Sequence, residues 1–110
     1  MIDLAVTGVD DKIPVPTKFA LEQNYPNPFN PLTRIQYAVP SLPDGQAGSQ
    51  YISLKVYNML GQQVAELVNG MQSPGYKSVE WDASKMPSGV YFYRLHAGTF
   101  TSIKKMLLTK

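Results

Sequence analysis

The feature that most constrains the fold is an alternation of apolar and polar residues with a period of two, which recurs from residue 33 onward. Such alternation is typical of β-strands with one buried face. The clearest examples are Ile35, Tyr37 and Val39; Ile52, Leu54 and Val56; and Tyr91, Tyr93 and Leu95. No segment carries the i, i+3, i+4 apolar stripe of an amphipathic helix over three turns. The sequence therefore predicts an all-β protein.

Turn-forming residues separate the alternating segments at intervals of roughly 8–12 residues. The turns are predicted at Leu60-Gly61-Gln62, Asn69-Gly70, Pro87 to Gly89, and Ala97-Gly98-Thr99. Strands of this length and spacing indicate an antiparallel sandwich or barrel. Six strands fall between residues 33 and 109, and residues 17–22 or 2–7 supply a seventh. We therefore predict an immunoglobulin-like antiparallel β-sandwich of about seven strands.

Length and composition indicate one folded domain. The chain has 110 residues, of which 44% are hydrophobic and 16% are charged, a balance that excludes disorder throughout. It has no cysteine, which excludes disulfides, thiolate zinc sites and cysteine nucleophiles. The net charge of +2 is too small to indicate a nucleic-acid partner. We expect residues 1–16 to be a linker or an extra N-terminal strand, and residues 17–110 to be the domain.

Neither a membrane-spanning segment nor a signal peptide is visible. No apolar run approaches the roughly 18 residues of a spanning helix. The N-terminus, which begins Met1-Ile2-Asp3, lacks a basic region followed by a long apolar one. Two interpretations follow: the protein stays inside the cell, or the chain is a piece of a longer protein whose signal lies elsewhere.

The segment Asn24-Tyr25-Pro26-Asn27-Pro28-Phe29-Asn30-Pro31 is the most unusual in composition. Its three prolines exclude a helix and a central strand. The interleaved asparagines offer side-chain hydrogen bonds to nearby backbone groups. Because Tyr25 and Phe29 are too apolar for an idle loop, we predict an ordered turn that both aromatics pin onto the core.

The residues offer little for catalysis. The single histidine, His96, falls near a strand end on the same face as Phe92 and Arg94, where a rim position is predicted. The few carboxylates form no metal-ligand pattern, and no nucleophile elbow or phosphate-binding loop is present. The sequence therefore predicts no enzyme activity, no cofactor and no metal.

The aromatic residues allow two interpretations. Residues Tyr51, Tyr57, Tyr76, Trp81, Tyr91, Phe92 and Tyr93 could form a sugar-stacking platform. The alternation of Trp81 with Val79 instead predicts a core position, which suits a small sandwich without disulfides. Tyr91 follows a Pro-Ser-Gly turn, so we expect its hydroxyl to bind the preceding connection, as the corner tyrosine of immunoglobulin-like folds does.

The segment from Phe100 to Lys110 contains three lysines and no acid. One interpretation is an edge strand that lysines protect against pairing with other chains. The other is a basic, strand-shaped signal that a receptor recognises. The composition of this segment leaves both open.

Several segments, taken together and in order, resemble one family. They are Leu21-Glu22-Gln23 together with the Asn-Pro segment above, Val56-Tyr57-Asn58-Met59-Leu60-Gly61-Gln62, Gly75 through Trp81-Asp82, Ser88-Gly89-Val90-Tyr91-Phe92-Tyr93-Arg94-Leu95, and Lys104-Lys105-Met106-Leu107-Leu108. The chain resembles the type A C-terminal sorting domains of proteins exported by the bacterial type IX secretion system. It shares part of the pattern with the related flagellar hook-cap immunoglobulin-like domains.

The resemblance implies a non-catalytic, immunoglobulin-like domain at the C-terminus of a larger cargo. Its implied partners are the outer-membrane secretion machinery with its sorting peptidase, and the N-terminal cargo domain. The cargo reaches the cell surface or the medium of a Gram-negative, Bacteroidetes-like bacterium, and cleavage is expected between residues 10 and 18. The missing signal peptide then follows from the chain being a C-terminal piece.

The resemblance also assigns residues. The implied recognition signal comprises Gly89, Val90, Tyr91, Lys104 and Lys105. The implied structural signatures are Asn27, Pro28, Phe29, Gly61 and Trp81. The loop over residues 40–50 is longer than the family's usual connection, which leaves room for a local role.

Two alternative functions remain open. The first is a structural surface or filament subunit, in which a strand from Ile2 to Val6 completes the sheet of a neighbouring copy. The second is a carbohydrate-binding module. Neither alternative, nor the sorting domain, calls for nucleic acid or membrane insertion.

Overall fold

The computed structural model describes residues 15–41 and 49–110, and these residues form seven β-strands. The strands are β1 (Ala20–Leu21), β2 (Leu32–Val39), β3 (Gln50–Tyr57), β4 (Gln63–Gln72), β5 (Gly75–Asp82), β6 (Gly89–Ala97) and β7 (Phe100–Leu108). Every strand pair is antiparallel. The predicted all-β sandwich is therefore confirmed.

The strands divide into two sheets. The smaller sheet has the order β1-β2-β5, and the larger has the order β4-β3-β6-β7. The chain changes sheet between β2 and β3, between β4 and β5, and between β5 and β6. Three of the six connections between the described strands thus cross between the facing layers, as in an immunoglobulin-like sandwich. The edge strands of the larger sheet are β4 and β7.

The core lies between the two sheets and is built from the alternating residues of both. The period-two pattern predicted the inward faces of β2, β3 and β6 correctly, because each predicted side chain is buried. The fully buried apolar residues from these strands and from β7 include Ile35, Val39, Ile52, Leu54, Val56, Tyr93, Leu95, Met106 and Leu108. Burial of such side chains is the main favourable contribution to folding.

The turn predicted at Asn69-Gly70 is wrong. Strand β4 continues through both residues to Gln72, and the chain turns at Ser73-Pro74 instead. The physical reason is pairing with β3, since Asn69 lies opposite Ser53 and the register extends to the end of the strand. Hydrogen bonding along this ladder overrides the local turn preference of an Asn-Gly pair.

Two predictions concern residues outside the described part. The strand expected over residues 2–7 lies there, and so does most of the loop over residues 40–50. At the margins of that loop, the Gln50 side-chain amide donates a hydrogen bond of 2.9 Å to the Pro40 carbonyl. Strand β1 supplies the seventh strand from the other predicted segment, residues 17–22.

Tyr93 joins the two layers in the middle of the core. Its side chain is fully buried, and its hydroxyl donates a hydrogen bond of 2.6 Å to the Glu22 carbonyl. Burial is the main cause that raises the pKa of Tyr93 to about 12, from an ordinary value of 10.0. Burial also raises the pKa of Tyr37 and the pKa of Tyr91 above the ordinary value.

We expect this shift to make the fold sensitive to alkali. Because the folded state holds the Tyr93 proton more tightly than the unfolded state, the stabilisation is complete below pH 10 and disappears as the pH rises towards about 12. The contribution of Tyr93 to the fall in the free energy of unfolding is about 2 kcal/mol. Urea unfolding measured across this range checks it. In Tyr93→Phe the fall should be smaller by that amount, and an equal fall would show that another group is responsible.

Candidate functional site

The segments that carry the sequence signatures come together at one end of the sandwich. Gly89 at the start of β6 lies opposite Leu108 at the end of β7. On the other side of β7, Phe29 forms a parallel bridge with Leu108. We call this region the signature end and define it by residues 27–29, 89–92 and 105–109. Residues that are far apart in sequence thus form one continuous part of the surface and core.

The Asn-Pro turn covers the open edge of β7. The Leu107 N–H donates to the Asn27 side-chain oxygen at 3.0 Å, and the Phe29 N–H donates to the Leu107 carbonyl at 3.0 Å. The Thr109 N–H then donates to the Phe29 carbonyl at 2.9 Å, and Gln23 Nε2 donates to the Lys105 carbonyl at 2.7 Å. Unpaired edge groups invite other strands. The turn and Gln23 therefore bind backbone groups at the edge of β7 that would otherwise be open to another strand.

Phe29 anchors this turn in the core. Its side chain is 1% exposed, and its ring centroid lies 5.8 Å from that of Trp81. Trp81 in turn meets Tyr91 edge to face at 5.5 Å. Such tilted and edge-to-face pairs are the favourable geometries for aromatic rings. The predicted core position of Trp81 and the anchoring role of Phe29 are confirmed.

The prediction that Tyr25 also pins the turn is wrong, because its side chain is 80% exposed. Its backbone exchanges two hydrogen bonds with Arg34, of 2.9 Å and 2.8 Å. This bridge to β2 directs the Tyr25 side chain away from the core. Of the two aromatic side chains in the turn, only that of Phe29 enters the space between the sheets.

Asn24 holds the turn from inside, a role that the sequence did not single out. Its side chain is 2% exposed and donates to the Pro26 carbonyl at 3.1 Å and to Thr33 Oγ1 at 3.0 Å. The Thr33 hydroxyl donates to the same Pro26 carbonyl at 2.9 Å. A buried polar side chain needs partners of this kind. The abundance of asparagine predicted side-chain caps but did not identify which asparagine is buried.

Gly89 and Tyr91 shape the start of β6. Gly89 has a φ of 150°, a conformation that side-chain-bearing residues rarely adopt. The Tyr91 hydroxyl donates a hydrogen bond of 2.6 Å to the Pro87 carbonyl, so the predicted corner tyrosine is confirmed. These two residues therefore fix how the chain enters the strand.

The five residues of the implied recognition signal lie on two neighbouring strands but face in two directions. Lys104 lies opposite the buried Tyr93, on the inward side of the edge strand, and is half-buried. Lys105 lies opposite Phe92, on the outer face, and is exposed. Tyr91 points inward like Lys104, whereas Val90 points outward like Lys105. One flat partner surface can therefore contact Val90 and Lys105 together, but not both lysines.

The outer face of the larger sheet continues the basic character of Lys105. Arg94 stacks over the Tyr57 ring at 5.2 Å and donates to the Tyr57 hydroxyl at 2.8 Å. In the described part of the chain, the single ion pair joins Lys55 Nζ to Glu66 Oε2 at 3.9 Å. The face thus combines half-buried aromatic rings with cations, a composition common at protein interfaces.

No catalytic or metal-binding arrangement is found among residues 15–41 and 49–110. His96 is exposed, and its Nδ1 atom lies 3.0 Å from Thr101 Oγ1. The described residues contain no group of three His, Asp or Glu side chains that could hold a metal ion. They also contain no helix of the length and hydropathy needed to cross a membrane.

The seven aromatic residues that could form a sugar platform do not all lie on one surface. Trp81, Tyr91 and Tyr93 are buried, as core packing predicts. Of the others, Tyr76 lies on the smaller sheet, whereas Tyr51 lies on the larger sheet. Tyr51 shares the outer face of the larger sheet with Tyr57 and Phe92, so the sugar-binding alternative stays a prediction.

The fold and the site define a β-sandwich module whose signature segments meet at one end of the domain. The sequence model of secretion system C-terminal sorting domains matches residues 23–109. The chain therefore belongs to the family of type IX secretion C-terminal sorting domains, and the predicted resemblance is confirmed. A comparison with curated proteins finds no match. The relation to hook-cap domains stays a prediction.

Proposed function

We propose that this chain is a non-catalytic export signal that directs a larger cargo through the type IX secretion system to the cell surface or the medium. Membership of the sorting-domain family supports the general role. The convergence of the signature segments at one end of the fold supports the location of the signal. In this proposal residues 17–110 form the domain, the cargo precedes it, and a sorting peptidase cleaves between residues 10 and 18.

The proposed contact surface is the outer face of β6 and β7 at the signature end. Val90 and Leu107 are cross-strand partners there, and Phe92 and Lys105 form the next outward-facing pair. Leu107 is 39% exposed and Lys105 is exposed. This surface suits a partner with an apolar patch and a nearby carboxylate. We propose that the outer-membrane machinery supplies that patch.

The other implied signal residues have a supporting role in this proposal. Gly89 and Tyr91 position the start of β6, and the Asn27-Pro28-Phe29 turn holds β7 against it. Lys104 lies on the opposite side of β7 from Lys105. Substitution of Lys105 should therefore affect recognition more directly than substitution of any of the buried signature residues, which would act through folding.

Charge reversal at Lys105 tests the proposal. A reporter with its own signal peptide is fused to the full chain in a host that has the secretion system. We expect Lys105→Glu to lower the exported fraction about tenfold, since loss of an interface charge pair of about 1.4 kcal/mol has that effect. The matched control is Arg34→Glu, which reverses an exposed charge on β2 of the smaller sheet, outside both the proposed contact surface and the proposed cleavage segment. Both purified variants should unfold within about 0.5 kcal/mol of the parent chain.

Equal export of Lys105→Glu, Arg34→Glu and the parent chain would contradict the assigned surface. A loss of export in both variants would indicate a general dependence on net charge and would also contradict it.

A further inference from the structure

The loop between β3 and β4, residues 58–62, presents two large apolar side chains to solvent. Met59 is 68% exposed and Leu60 is 83% exposed, and Leu60 is the most exposed large hydrophobic residue of the described part. No described residue covers them. We call Met59 and Leu60 the hairpin tip. Exposed apolar side chains at a loop apex cost solvation free energy and commonly mark a contact site.

Hydrogen bonds hold the loop beneath the hairpin tip in one conformation. The Asn58 side-chain oxygen accepts from the Leu60 N–H at 2.9 Å and from the Gln62 N–H at 3.0 Å. The Asn58 amide donates to Gln62 Oε1 at 2.7 Å, and the two backbones pair at 3.0 Å. Gly61, with a φ of 83°, provides the left-handed turn. A preorganised loop loses little entropy on binding, so the two side chains are ready for contact.

The charge pattern favours a protein pocket over a lipid surface as the occupant. The segment from Val56 to Ala65 contains no charged residue. Surface segments that enter anionic membranes combine apolar side chains with adjacent lysines or arginines. An uncharged pair of apolar side chains on a rigid support instead suits an apolar pocket, in which such anchors act as binding hot spots.

The position of the hairpin tip is continuous with the proposed contact surface. Tyr57, which immediately precedes the loop, lies opposite Phe92, and Phe92 lies opposite Lys105. Neighbouring strands are about 4.8 Å apart, so Tyr57 and Lys105 are separated by about 10 Å across the sheet. A protein seated over Val90 and Lys105 is therefore within reach of the tip.

We propose that Met59 and Leu60 insert into an apolar pocket of the same export-machinery protein that contacts Lys105. The identity of the partner rests on the proposed function. The location of the contact rests on the exposure of Met59 and Leu60 and on the hydrogen bonds that hold the loop. It assigns the tip as a second contact, independent of the basic residue on β7.

The test uses Met59→Ser with Leu60→Ser in the full chain fused to the same reporter. Asn58, Gly61 and Gln62 stay in place, so the loop keeps its hydrogen bonds. We expect the exported fraction to fall at least fivefold while the melting temperature of the purified chain stays unchanged. The matched control is Met71→Ser with Leu32→Ser, which removes two exposed apolar side chains elsewhere, 61% and 45% exposed. This control should export like the parent chain.

Photocrosslinking identifies the occupant. A benzophenone amino acid is placed at position 60, at position 105, and at position 71 as the control. We expect positions 60 and 105 to give a product with the same protein, and position 71 to give none. A product with a different protein or with lipid at position 60 would overturn the proposal, as would none at position 60 when position 105 reacts.

The outcomes separate the two proposals. If Lys105→Glu abolishes export and the Met59→Ser, Leu60→Ser chain exports normally, the hairpin-tip proposal fails and the proposed function stands. If neither variant affects export, both fail. Specific pelleting of the parent chain, but not of the tip variant, with phosphatidylethanolamine–phosphatidylglycerol vesicles would overturn the protein pocket in favour of lipid. A concentration-dependent dimer lost only in the tip variant would favour a second copy of the chain and would also overturn it.

Discussion

Replacement of Phe29 by alanine is expected to lower the free energy of unfolding by about 3–5 kcal/mol, the cost of truncating a fully buried phenylalanine. The ring contacts Trp81, which in turn packs on Tyr91, so the cavity would open among aromatic side chains that have few ways to collapse. The backbone of the same residue carries two of the hydrogen bonds that cover the edge of β7. A loosened turn would therefore expose that edge as well.

Chemical denaturation measures this effect, and Tyr25→Ala is the matched control in the same turn. Tyr25 is also aromatic and also lies next to a proline, but its side chain is largely exposed. Its truncation should change stability by no more than about 0.5 kcal/mol. Equal losses of stability in the two variants would contradict the claim that Phe29 anchors the turn and Tyr25 does not. Hydrogen exchange of the Leu107 and Thr109 amides should accelerate in Phe29→Ala only.

Removal of residues 104–110 is expected to unfold the domain. The deletion takes away Met106 and Leu108, each 1% exposed, together with the segment that Phe29 and Asn27 bind. Loss of two such side chains costs about 4–10 kcal/mol, which approaches the whole stability of a typical domain, about 5–15 kcal/mol. Circular dichroism and proton NMR dispersion of the truncated chain should show no fixed tertiary structure.

Removal of Lys110 alone is the control for this truncation. The Lys110 ammonium group donates one exposed hydrogen bond of 2.7 Å to the Ser84 carbonyl, and the residue adds nothing to the core. Its loss should leave stability within about 0.5 kcal/mol of the full chain. A folded protein after removal of residues 104–110 would contradict the assignment of β7 to the core. Loss of export after such a deletion reports on folding as well as on a signal.

The sequence predicted the parts of the fold that depend on local pattern. Period-two alternation placed Ile52, Leu54 and Val56 inside, and the Pro-Ser-Gly turn located the corner tyrosine, Tyr91. The same alternation already implies that adjacent strand residues face opposite ways. The division between Lys104 and Lys105 could therefore have been predicted from it, although the family resemblance assigns both lysines to one basic signal.

The remaining features depend on contacts between distant parts of the chain. The Asn27 side chain binds the backbone of a residue 80 positions away, and no local pattern predicts which strand edge a proline-rich turn will cover. The extension of β4 beyond Asn69-Gly70 likewise depends on its register with β3. The opposite fates of Tyr25 and Phe29 follow from the bridge between Tyr25 and Arg34. Neither the predicted strand from Ile2 to Val6 nor strand addition through it falls within the described residues, so both stay predictions.

The most direct test of the central claim is the location of a reporter fused to the full chain. The reporter carries its own signal peptide and is expressed in two hosts that differ only in the outer-membrane channel of the type IX secretion system. The claim predicts reporter at the cell surface or in the medium of the complete host, and reporter retained in the periplasm of the host without the channel. The same distribution in both hosts would contradict a role as an export signal.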